Sequence, residues 1–115
     1  MSMVLVIRYN DEELCSSKQM TEWFENKSYS VSETKIEGNG FSFDWTNMKL
    51  VNSLMFVIDA ENDDDFPPVL FDYIQALKRD DTIVSLAEEG MGNYDLIFEA
   101  NLPKFIAELT KDVEA

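Results

Sequence analysis

Two short and almost unbroken apolar runs constrain this chain most: Met3-Val4-Leu5-Val6-Ile7, leading to Tyr9, and Leu54-Met55-Phe56-Val57-Ile58. Neither approaches the roughly 20 apolar residues of a membrane span. A run this short with little polar alternation reads as a strand covered on both faces, near the middle of a sheet. Met3 to Tyr9 and Ser53 to Asp59 are therefore expected as two central strands lying side by side.

The rest of the chain is organised around them. Tyr29 to Glu37 and Phe41 to Thr46 flank Gly38-Asn39-Gly40, whose residues tolerate positive φ, and this predicts a hairpin. Its second strand alternates Phe41, Phe43 and Trp45 with Ser42, Asp44 and Thr46, so one face is aromatic and the other polar. Ser16 with Gln19 forms a capping box for a helix running to about Asn26, with Met20, Trp23 and Phe24 on one face; Asp11 is an alternative cap. Pro67 and Pro68 suit the first turn of a second helix capped by Asp65 and ending near Arg79, and Leu70, Tyr73, Ile74 and Leu77 have helical spacing. Short strands are expected at Thr82 to Leu86 and Tyr94 to Phe98. A third helix begins after Asn101 and carries Phe105, Ile106 and Leu109 on one side. The predicted fold is α+β: one layered domain over residues 1–115, with a mixed or mainly antiparallel sheet of about five to six strands and three helices.

Charge carries most of the functional information. There are 23 acidic and 9 basic residues in 115 and no histidine, for a formal net charge of -14. Small soluble domains need a net charge of only about 2 to 8 in magnitude for solubility. Like charge in excess opposes folding, so its retention points to use of the field. Disorder is a poor explanation, because 45% of the residues are apolar and 12% aromatic. An anionic surface repels nucleic acid and anionic lipid alike, which argues against direct contact with either. Cys15 is the single cysteine, which fits a reducing compartment. No basic segment precedes the short apolar N-terminal run, so a soluble cytoplasmic protein is expected.

Without histidine, no serine or Cys15 has the usual neutral-pH base, and no enzyme activity is expected. The densest chemical feature is Asp59-Ala60-Glu61-Asn62-Asp63-Asp64-Asp65. As an EF-hand loop it fails, since the positions for the turn glycine and the bidentate glutamate hold Asp64 and Leu70. As a magnesium site for phosphoryl transfer it lacks phosphate-binding glycines, and Lys78 and Arg79 sit at the far end of the following helix. The bland reading is a solvated loop whose carboxylates favour a helix N-terminus. The alternative is a docking surface for a cationic partner. No metal and no cofactor is expected. Phe41, Phe43 and Trp45 are read as core in preference to a base-stacking platform, because the basic residues are scattered singly.

In size, acidity, mixed α and β content and lack of catalytic residue types, the chain resembles the immunity proteins that bacteria pair with nuclease toxins in contact-dependent inhibition and related polymorphic toxin systems. The resemblance implies a monomer that binds one basic toxin domain as a heterodimer, with carboxylates standing where phosphates would sit. It carries over no residue roles, so the expected partner-binding residues come from charge density. They are Asp59, Glu61, Asp63, Asp64 and Asp65; Asp11, Glu12 and Glu13 after the first strand; and Glu88 and Glu89 after a later one. Parallel strands would bring these three groups to one edge of the sheet. Two alternatives stand beside this reading. One is a DNA-mimic antirestriction or phage-encoded inhibitor, although Lys18, Lys27, Lys35 and Lys49 interrupt its acidic rows. The other is an acidic adaptor or divalent-metal-binding protein.

Overall fold

The computed structural model describes residues 2–9, 17–59, 67–77, 81–90 and 92–114. Its strands are β1 (Ser2–Arg8), β2 (Ser30–Val31), β3 (Lys35–Gly38), β4 (Phe41–Met48), β5 (Ser53–Asp59), β6 (Ile83–Gly90) and β7 (Asn93–Asn101). The helices are α1 (Ser17–Asn26), α2 (Pro68–Leu77) and α3 (Leu102–Glu114). One sheet holds all seven strands in the order β2-β3-β4-β5-β1-β6-β7, and every adjacent pair is antiparallel.

The α+β architecture matches expectation, and the two apolar runs do pair. β1 lies between β5 and β6, with Ser2 opposite both Asp59 and Glu89 and Arg8 opposite both Ser53 and Ile83. The sheet has more strands than the five or six expected, because the run from Tyr29 to Glu37 is broken by a turn. The Ser32 hydroxyl accepts the Lys35 N–H at 3.0 Å, and the Ser32 N–H donates to the Lys35 carbonyl at 2.8 Å. This local pairing reverses the chain after two residues of β2. The hairpin from β3 to β4 turns at Asn39 and Gly40, with φ of 51° and 84°, the conformation that a two-residue turn between twisted strands requires.

All the helix side chains of the core reach one face of the sheet among the described residues. Met20 and Phe24 of α1, Val69, Leu70, Tyr73 and Ile74 of α2, and Leu102 and Phe105 of α3 join Leu5, Ile7, Ile36, Phe43, Trp45, Leu54, Phe56, Ile58 and Val84. Phe24 is the hub. Its ring lies 5.0 Å from Trp23, 5.2 Å from Tyr73 and 6.0 Å from both Tyr29 and Phe43, mostly edge to face. Each such pair contributes about 0.5–1.5 kcal/mol beyond the area it buries. α3 starts where the Asn101 side chain accepts the Lys104 N–H at 3.4 Å, the cap expected at that position.

The expectation that β1 and β5 are covered on both faces is met in full only on the helix side. Leu5 and Ile7 face the helices, whereas Val6, Met55 and Val57 on the other face are only half-buried. Val4 is buried on that side between Val57 and Ala87, its cross-strand partners. An apolar run marks the middle of a sheet here, but neighbouring strands supply part of the cover.

Candidate functional site

Side chains directly opposite one another on adjacent strands share a face, so the register assigns the second face residue by residue. Across its centre runs the row Lys35, Asp44, Val57, Val4, Ala87 and Leu96. Next to it lies the row Thr46, Met55, Val6, Ser85 and Glu99. Toward one end, Asp59, Ser2, Glu89 and Tyr94 align. Toward the other are Met48, Ser53, Arg8, Ile83 and Asn101. The result is an apolar patch of Val6, Met55, Val57, Ala87 and Leu96 around the buried Val4. Carboxylates flank it on three sides: Asp44, then Asp59 with Glu89, then Glu99. Arg8 and Lys35 are the cations of these rows, and both are exposed.

Two of the residues expected to bind a partner belong to this surface. Asp59 closes β5 and is exposed, and Glu89 sits opposite Ser2 on the same face. Glu88, adjacent in sequence, alternates to the helix-side face, where it stands opposite Asp95. Both glutamates lie within β6, not after it, because that strand extends to Gly90. Asp11, Glu12, Glu13, Glu61, Asp63, Asp64 and Asp65 lie outside the described residues. The parallel geometry that was to bring the three acidic groups together is not found. β1 is antiparallel to both β5 and β6, so it leaves the sheet at the edge opposite Asp59 and Glu89.

Sequence reasoning missed Asp44 and Glu99 as members of the rim, and Tyr94 and Leu96 as its apolar end. Tyr94 is 60% exposed and Leu96 62%, well above the half-buried neighbours on β6. The alternation of Tyr94 and Leu96 with Asn93 and Asp95 was the available signal, but nothing local says that β7 is the last strand. Glu99 is held in place, accepting a hydrogen bond from the Ser85 hydroxyl across the β6–β7 pair.

Among the described residues no group of three or more Cys, Asp or Glu side chains is placed to hold a metal ion. Two open depressions flank β2, one of about 230 Å³ lined by Ser30, Val31, Ser32, Lys35 and Glu37, the other of about 420 Å³ against Thr21, Glu33 and Trp45. The first carries Lys35 with Glu37, and the second carries Glu33. No helix among the described residues is long and apolar enough to cross a membrane. Comparison with protein-family models, with characterised proteins and with solved structures returns no match.

Proposed function

We propose that this chain is a protein inhibitor of the immunity class, which binds a basic, nuclease-type toxin domain one to one and neutralises it in the cytoplasm. The observation that carries the reading is the second sheet face: an apolar patch bordered by Asp44, Asp59, Glu89 and Glu99, on a chain of net charge -14. Protein interfaces are built this way, with a desolvated apolar centre for affinity and a charged rim for steering and register. A field of this sign raises encounter rates with a cationic cleft, which suits protection against a lethal enzyme. No catalytic step is assigned to the chain; its part is to occupy the cleft and exclude nucleic acid from it.

The apolar centre favours a protein partner over duplex mimicry, since a DNA mimic is expected to present rows of carboxylates at phosphate spacing. Affinity capture of the tagged protein from its own organism, at low and high salt, tests the reading. One basic nuclease-like protein retained at high salt supports it, because buried contacts outlast screened ones. A broad set of DNA-binding proteins released by salt sinks it in favour of mimicry. An empty column removes both.

A further inference from the structure

The two edges of the sheet are built differently. β2 closes one edge with two residues, whereas β7 closes the other with nine and has one strand neighbour among the described residues. A long edge strand offers a row of backbone donors and acceptors for another strand, and proteins usually blunt such edges. Here the edge also exposes apolar side chains: Tyr94 at 60%, Leu96 at 62% and Ile97 at 51%. Ile97 is the extra residue at the irregularity between the Leu86–Phe98 and Ala87–Leu96 pairs.

The charge on β7 selects the occupant. Asp95 and Glu99 are its ionisable acids, and it has no basic residue. In a second copy meeting this edge, Asp95 on the helix-side face and Glu99 on the other would put carboxylates on both faces of the seam, with no basic residue of β7 to offset them. Like charges gathered at one seam are destabilising, and each copy adds the repulsion of its whole net charge. An extended segment rich in lysine or arginine meets the reverse situation, with carboxylates opposite its cations and three apolar side chains to cover.

We propose that the outer edge of β7 accepts an extended, basic segment of a protein partner as an eighth strand, anchored on Tyr94, Leu96 and Ile97. Backbone pairing provides the register and the alternate side chains the selectivity, as in strand addition generally. The cationic character of the partner rests on the inhibitor reading above; the place and mode of binding rest on the edge itself.

The test uses the full chain, isotopically labelled, titrated with an end-blocked heptapeptide alternating lysine and valine. A second peptide of the same sequence, N-methylated at every backbone amide, keeps the charge but has no N–H to donate from either edge and cannot pair as a strand. Strand addition requires amide shifts and slowed hydrogen exchange concentrated in residues 93–101. The methylated peptide should bind at least about tenfold more weakly, as loss of backbone pairing demands. Tyr94→Ser with Leu96→Ser, shown folded by circular dichroism, should weaken the parent peptide comparably. Equal binding of both peptides, changes spread over the acidic surface, or no binding at β7 overturns the proposal. So does a dimeric mass with β7 already protected before peptide is added, which would make a second copy the occupant. The outcomes separate from those for function. A captured basic toxin whose hydrogen-exchange footprint avoids β7 leaves the inhibitor reading and removes the edge, whereas a peptide bound at β7 with an empty capture column does the opposite.

Discussion

The two faces of the sheet are made from the same strands, yet they are finished in different ways. On the helix-covered face, Leu5, Phe43, Leu54 and Phe56 meet Met20, Phe24, Leu70 and Tyr73, and every one of these is buried. On the other, Val6, Met55, Val57 and Ala87 stay half-buried, and Leu96 and Tyr94 are largely exposed inside a border of carboxylates. The first face spends its apolar surface on folding. The second holds apolar surface in reserve, and an apolar patch rimmed by polar groups is the usual form of an interaction site.

This contrast predicts a steep difference between matched truncations. Phe24→Ala should cost about 3–5 kcal/mol, since the ring is fully buried among five aromatic neighbours and the space cannot refill. Leu96→Ala should stay within about 0.5 kcal/mol, the range of ordinary surface changes. Urea unfolding of both variants decides the matter, and equal losses would mean that the two faces are equally covered. Gly38→Ala comes next. Its new Cβ would fall 2.7 Å from the Tyr29 ring, so about 1–3 kcal/mol should be lost as Tyr29 is pushed from the core face.

A smaller effect of opposite sign is expected at Thr82. Its hydroxyl is buried on the helix side with no hydrogen-bond partner among the described residues, while its carbonyl accepts the Leu102 N–H at 2.7 Å. Thr82→Val keeps the shape and removes the unsatisfied group, so unfolding should become harder by about 1 kcal/mol. A loss of stability would reveal a partner for that hydroxyl. Last, Asp44→Asn, Glu89→Gln and Glu99→Gln combined should barely change folding, yet slow association with a basic partner at low salt and leave dissociation nearly unaltered. Stopped-flow mixing across a salt series reads this out, since rim charges act mainly on encounter. A change confined to dissociation would place these carboxylates inside the contact instead of around it.

Much of the fold was legible locally. The Asn39-Gly40 turn, the aromatic alternation of β4, the helical spacing in α1 and α2 and the Asn101 cap each depend on a few adjacent residues, and the structure has each where expected. The site was legible only in part. Acid density singled out Asp59 and Glu89, which do lie in one row on either side of Ser2, but it gave Glu88 the same role, although strand alternation turns it to the other face. Density in sequence says nothing of the parity that decides which face a strand residue takes.

What the sequence by itself determined is the class of surface: a net charge of -14 over an apolar complement large enough for one core is fixed by composition alone. It also determined most of the segments that become strands and helices, the break between β2 and β3 excepted, because those preferences are set within a turn or a strand length. The tertiary structure decided strand direction, order and register. These follow from long-range pairing, in which β1 meets β5 and β6 across more than 40 residues of chain. Antiparallel pairing removed the common edge that parallel strands would have given the acidic groups. It set Asp44, Asp59, Glu89 and Glu99 around one apolar patch and left β7 outermost, none of which a local pattern encodes.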